Sequence, residues 1–260
     1  MGGRLTDPVP PMPAPPPPLL SRGFFARPAQ EVAPDLLGCL LCRYAADGTV
    51  AVVITETEAY AGTADAASHA FRGRTARNAV MFGEPGHAYV YFTYGMHFCL
   101  NLVCLPAGTA SAVLLRAGRV VAGGELAAAR RMAARQASGA GQGRGAGQGG
   151  GTGRAARIGI SERDLARGPA RLCQSLGIDR ALDGADVCDP ASPLQAGNRA
   201  VAVPDVGRGP RVGISRAAGV PWRFWIPGDP TVSAYRAHAA RRGAAEAVSV
   251  PHGEGGTIAR

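Results

Sequence analysis

Lysine is absent from the sequence: all 28 positions counted as Lys or Arg are arginine. That absence excludes Schiff-base chemistry on a side-chain amine and leaves only the amino terminus for it. Long apolar runs are missing too. No stretch of about 20 apolar residues occurs, which argues against a membrane span. The start has no positive region followed by an apolar one, so no signal peptide is expected. Acidic residues are scarce, 19 against 28 basic, giving a net charge of +9. Such an excess points to a polyanionic partner, with a merely solubilising basic surface as the plainer alternative. The arginine bias is also compatible with genome composition.

The six cysteines stand at 39, 42, 99, 104, 173 and 188, mostly in apolar surroundings such as "LLGCLLCRY" and "CLNLVC". "CLLC" has metal-ligand spacing but no second pair of matching form. Buried free thiols in a reducing cytosol are the expected reading. His87 and His97 are separated by a predicted strand and lack acidic or thiol partners, so no metal site is expected, nor any other cofactor. "GAGQGRGAGQGG" is glycine-rich, yet it lacks the closing G-K-[ST] and a preceding strand, which excludes a phosphate-binding loop of that type.

What is present has a clear order. Residues 1–20 hold "PVPPMPAPPPPLL", a proline-rich arm expected to be disordered. "PAQEVAPDLLGCLLCRY" reads as a helix running into a strand, with a turn at Gly48 and an alternating strand over Val50–Thr57. "HAYVYFTYGMHFCLNLVCL" reads as two strands joined by a tight turn near "TYGM". "SAVLLRAGRVV" predicts another strand and "GGELAAARRMAARQ" a helix. A glycine-rich loop over about 138–154 gains too much backbone entropy when free to be expected to order. A helix follows in "SERDLARGPARLCQSLGI", with Ser161 as a candidate cap. "RVGISRAAG" and "PWRFWIP" are short strand candidates, "DPTVSAYRAHAARRG" a last helix, and 246–260 a loose tail. Hairpin-like strands with peripheral helices predict a single α+β domain over 21–245.

The chemistry gathers in "ITETEAYAGTADAASHAFRG", Ile54–Gly73. Strand periodicity puts Glu56 and Glu58 on one face, with Tyr60 following. Solvated acids at a strand end are the bland reading. Tyr89 and Tyr91 share a face of their own strand, and Tyr94 falls at the turn. An ordinary aromatic ladder would explain the first two. A bulky side chain at a hairpin tip on a basic protein suits the gap left by an extruded nucleotide.

"ETEAY" followed by a histidine, "TARNAVMFGEPGHAYVYFTYGMHFCLNLVC", "AVLLRA", "GPARLCQSLGI" and the late "RVGI" together resemble the alkyladenine DNA glycosylase family, over roughly Phe24–Ile226 apart from the glycine loop. The resemblance implies a curved antiparallel sheet, peripheral helices and a protruding β-hairpin. It implies Glu58 as general base, and Glu56 as a neighbouring acid without a catalytic role. Tyr60, His69 and Tyr91 match the aromatic slot for a flipped base, Tyr94 the tip that enters the minor groove, and Asn101 a gatekeeper against the amine of normal guanine. Arg116, with Glu58 and a backbone carbonyl near Val212, matches the set that positions the attacking water.

These implications define an expected activity: hydrolysis of the N-glycosidic bond of alkylated purines in duplex DNA, leaving an abasic site. 3-Methyladenine is the first substrate expected, with 7-methylguanine, hypoxanthine and ethenoadenine as further ones. Without lysine, water rather than an amine is the expected nucleophile, and strand cleavage falls to an abasic-site endonuclease. Arg72, Arg74, Arg77 and Arg171 are candidates for phosphate contacts. Two departures stand out: Ala170 and Arg171 replace a glycine and a lysine of the family pattern, and His97 replaces an aromatic. A monomer without membrane contact is expected, cytoplasmic and nucleoid-associated in a bacterium or nuclear in a eukaryote. The alternatives are a catalytically weak damage binder on the same scaffold and, further off, an RNA-binding domain of the kind attached to formyl-transfer enzymes.

Overall fold

A computed structural model of the protein describes residues 18–93, 95–140 and 159–235. Its organising element is β2 (Gly48–Tyr60), 13 residues rich in Val, Ile and Thr, types that suit a pleated, buried surface. Every residue from Val50 to Ala59 is buried. That continuous burial means both faces are covered, where alternation alone predicts one wet face.

β1 (Cys39–Ala45) lies antiparallel to the first half of β2, from Leu40↔Val53 to Ala45↔Gly48. Beside the second half the short β8 (Arg223–Trp225) takes its place, pairing Glu56↔Trp225 and Glu58↔Arg223. The other edge of β2 carries β5 (Ala112–Ala122), with register shifts flanking Glu56. β4 (His97–Val103) and β3 (Ala88–Thr93) continue outward, β6 (Leu194–Arg199) closes the far edge, and β7 (Gly207–Gly209) pairs with β8. The order is β3-β4-β5-β2-β1-β6, and every paired strand is antiparallel.

Around this sheet sit α1 (Arg22–Phe25), α2 (Ala29–Asp35), α3 (Gly124–Ala140) and α4 (Pro169–Leu176). The architecture is a single α+β domain. The main core joins Val32 and Leu36 near α2 to Ile54, Leu100 and Leu115 of the sheet and Leu172 of α4. A second cluster of Ala70, Met81, Tyr89, Val103, Ala110 and Ala112 underlies the aromatic side of the site. All six cysteines are free thiols, five of them buried.

Several sequence expectations need correction. Leu20 is buried and Leu19 bridges to Gly197, so the chain joins the sheet before the arm's predicted end. α3 runs on to Ala140, three residues into the predicted glycine loop. The predicted helix at 161–178 is two pieces, a 3-10 turn at Glu162–Asp164 and then α4, because Gly168 takes φ 106 and Pro169 restarts the helix. Ser161 makes no side-chain cap bond. "RVGISRAAG" is irregular rather than a strand, and 229–235 is turn and coil rather than helix. The rest of that last segment, the arm to residue 17, residues 141–158 and the tail lie outside the described residues.

Candidate active site

Glu56 and Glu58 project from β2 toward one guanidinium, that of Arg116 on β5. Arg116 Nε lies 2.8 Å from Glu56 Oε1 and Nη1 lies 3.1 Å from Glu58 Oε1. Both carboxylates are fully buried and Arg116 nearly so. Burial would strip Arg116 of its proton more readily, but the facing carboxylates outweigh it and raise its pKa. Glu58 Oε1 also accepts the Val212 N–H at 2.7 Å, and Oε2 accepts the Tyr60 hydroxyl at 2.8 Å. An ionised carboxylate has room for about four such bonds; one acceptor position on Oε2 is left. Burial and the neighbouring Glu58 charge hold the Tyr60 phenol well above its ordinary pKa, so it is a donor.

Glu56 is tied differently. Its Oε1 accepts from Arg116 Nε, from Arg223 Nε at 2.7 Å and from the Ser233 hydroxyl at 2.9 Å, while Oε2 accepts the Ser233 N–H at 2.7 Å. Burial works to raise this carboxyl, but the two guanidinia and the Ser233 bonds bring it below the free value. With four bonds accepted, three of them on Oε1, Glu56 is an anchor for Arg116.

Over Glu58 opens a cavity of 410 Å³ lined by Tyr60, His69, Tyr91, Asn101, Arg116 and Val212 among others. Glu58 does not itself line it; three of its lining residues, Tyr60, Arg116 and Val212, cover Glu58. Tyr89 and Tyr91, alternate residues of β3, stack at 5.6 Å, and the His69 ring packs edge-on to Tyr91 at 4.5 Å. His69 Nδ1 lies 3.1 Å from the Tyr89 hydroxyl. The outer edge of His69 is exposed, but the packing of its inner side and then the Arg77 charge lower its pKa, which favours neutral imidazole. The Asn101 side chain donates to the Tyr89 carbonyl at 3.2 Å, which fixes its amide at the cavity wall.

The cavity also brings in both departures from the family pattern, His97 and Ala170. Ala170 lies inside the first turn of α4, and the positive φ that demands glycine falls on Gly168 instead. Arg171 is drawn to Asp164 at 3.4 Å. Arg72, Arg74 and Arg77 are exposed on the segment after His69. Tyr94 lies outside the described residues. At Val212 it is the amide N–H that meets Glu58, whereas the family resemblance implies a backbone carbonyl near this residue in the water-positioning set.

Sequence reasoning missed the residues that brace this site. Asn78 caps its own turn and donates to the His69 and Gly73 carbonyls at 3.0 and 3.1 Å, holding the loop that carries His69 and the arginines. Its capping box with Thr75 was legible as "TARN". Arg223, Ser233, Asp65 and Arg211 carried no local signal.

A model of the family described as Methylpurine-DNA glycosylase (MPG) matches residues 23–230. A protein of Streptomyces avermitilis named "Putative 3-methyladenine DNA glycosylase" is 53% identical over 226 residues, 86% of this chain and 94% of the relative. Proteins of the same name from Leifsonia xyli and Burkholderia lata are 48% and 43% identical, covering 85% and 88% of this chain and 95% and 97% of theirs. An aromatic cavity over a buried Glu–Arg pair on a basic α+β domain defines a class, a nucleic-acid enzyme of base removal. Within that class the chain belongs to the methylpurine-DNA glycosylase family. The activity of that family is hydrolytic release of alkylated purines from DNA.

Proposed function

We propose that the protein is a monofunctional glycosylase that flips 3-methyladenine, and with it 7-methylguanine, hypoxanthine and ethenoadenine, out of duplex DNA and hydrolyses the base from its sugar. The observation that carries this reading is the convergence of Tyr60, Val212 and Arg116 on Glu58 beneath the aromatic cavity.

Cleavage of the C1′–N bond leaves positive charge on the sugar, and the bonding electron pair departs with the base. A carboxylate beside C1′ stabilises that charge and takes the proton of the attacking water. Glu58 fills this role, with Arg116 holding it and its anchor Glu56 behind. A purine methylated at N3 or N7 is cationic, which makes it a good leaving group and favours stacking on the faces of Tyr60 and Tyr91. Neutral His69 adds no opposing charge there. Asn101 stands where the amine of an undamaged guanine would crowd it, and Tyr94 fills the gap in the helix. Arg72, Arg74, Arg77 and Arg171 meet phosphates. The absence of lysine supports a water nucleophile and an intact strand as product, left to an abasic-site endonuclease. The protein works as a monomer on the chromosome, in bacterial cytoplasm or a eukaryotic nucleus.

The test is single-turnover base release from methylated duplex DNA, comparing the intact protein with Glu58→Gln at matched folding and duplex binding. Free 3-methyladenine from the intact protein, lost in the variant, is the expected result. Binding without release from methylated, hypoxanthine or etheno duplexes would transfer the reading to a damage binder.

A further inference from the structure

A further buried ion pair, Asp65–Arg211, adjoins the Glu58 site through Tyr60 and Val212. Arg211 is 1% exposed, yet it is the largest fully buried side chain among the described residues. Its Nη1 meets Asp65 Oδ2 at 2.5 Å and its Nη2 meets Asp65 Oδ1 at 3.0 Å, a two-pronged contact. Nη1 also donates to the Ala59 carbonyl at 3.0 Å. The guanidinium lies over the rings of Tyr60 at 4.7 Å and Trp222 at 5.2 Å. Asp65 in turn accepts the backbone N–H groups of Ala61 and Ala67.

The pair therefore grips three segments at once: the end of β2, the loop that leads to His69, and the irregular stretch containing Val212. The residues on either side of its grip, Tyr60 and Val212, are the two that donate hydrogen bonds to opposite oxygens of Glu58. No regular structure holds residues 211–214, so their place depends on such side-chain ties. Stability alone is a weak reason to keep this arginine. Its Nε is buried without a partner, and buried ion pairs are commonly matched or surpassed by apolar residues of similar volume.

We propose that the Asp65–Arg211 pair is a positioning element of the active site, fixing Tyr60 and Val212 where they donate to Glu58. Arg211 touches neither base nor sugar in this scheme. The proposal rests on the reading of Glu58 as the general base.

Single-turnover base release and duplex affinity should be measured for the intact protein, Arg211→Met, Arg211→Lys, Asp65→Asn, Tyr60→Phe and Arg211→Met/Tyr60→Phe. Rates are referred to the fraction of molecules competent to bind duplex. Arg211→Met is expected to slow release on the order of 10²-fold, the usual cost of a 1 Å misplacement, with duplex affinity unchanged. Arg211→Lys, which keeps the charge but loses the fork, should recover part of that loss. Removing the Tyr60 hydroxyl should slow Arg211→Met by less than it slows the intact protein.

An unchanged rate in folded Arg211→Met, a loss shared equally between rate and affinity, or a double variant whose loss is the product of the singles would each overturn the positioning role. If Arg211→Met does not fold, Arg211→Lys and Asp65→Asn decide by the same split of rate from affinity. Absence of base release from the intact protein would instead overturn the glycosylase reading and this proposal with it.

Discussion

Arg116 and Glu56 meet at 2.8 Å with no exposed surface on the carboxylate. The contact joins adjacent strands, and through it the guanidinium that faces Glu58 is held from behind. A cation in a buried site needs such a counter-charge, since removing one partner of a buried pair leaves the other uncompensated.

Glu56→Gln is therefore expected to lower stability by about 3–5 kcal/mol at neutral pH. The Glu56 carboxyl is held below the free value of 4.5. Its contribution is thus complete above that value and is lost as pH falls through the lower, folded one. Melting curves from neutral to acidic pH should show the intact protein and Glu56→Gln drawing together only in acid.

His69 should titrate below the ordinary 6.5, because packing against Tyr91 and the nearby Arg77 both disfavour the imidazolium. In the window below 6.5 the unfolded chain binds the proton and the folded one does not, so stability there rises with pH. NMR titration of the ring should place its midpoint below that of free histidine. Arg77→Ala should move the midpoint upward.

Duplex binding should separate the arginines. Each phosphate contact contributes about 0.9 to the dependence of log affinity on log salt. Arg72 and Arg74 are exposed and have no acidic partner within salt-bridge distance among the described residues. Replacing both by alanine should lower the slope by about 2. Arg171→Ala should change it less, because Asp164 already draws that guanidinium.

Gly62 starts the turn between Tyr60 and His69 at φ +61, and an added Cβ would stand 1.8 Å from the Ala110 carbonyl oxygen. Gly62→Ala combines left-handed strain of about 1–2 kcal/mol with that collision. Its melting temperature should fall by at least about 4 °C. Gly73→Ala, also at positive φ but facing open space, should cost the strain alone.

Asn101 is pinned to the Tyr89 carbonyl at the cavity wall. Asn101→Ser should raise release of undamaged guanine relative to methylated purines by about 10-fold or more, a modest figure because pocket walls discriminate weakly by size. Competitive release assays on mixed duplexes would measure it.

Local order made much of the fold legible. Alternating and β-branched runs marked β2, β3, β4 and β5, and "GGELAAARRMAARQ" marked α3. The period of two by itself places Glu56, Glu58 and Tyr60 on one face. Where regularity fails, reading failed with it. The "RVGI" stretch read as a strand and is irregular, and "SERDLARGPARL" read as one helix although Gly168 breaks it.

By itself, then, the sequence determined the family, the sheet-forming strands and the acidic end of β2, all written within short windows of chain. It also excluded lysine chemistry outright. Only the tertiary structure decided what Glu58 meets. Arg116 arrives from 58 residues away on a neighbouring strand, and Val212 and Arg211 from about 150 away, brought in by an Asp65 that no periodicity marks. A buried charge is satisfied by whichever donors the folded chain delivers, and that delivery follows from strand pairing and loop closure rather than from the order of neighbouring residues.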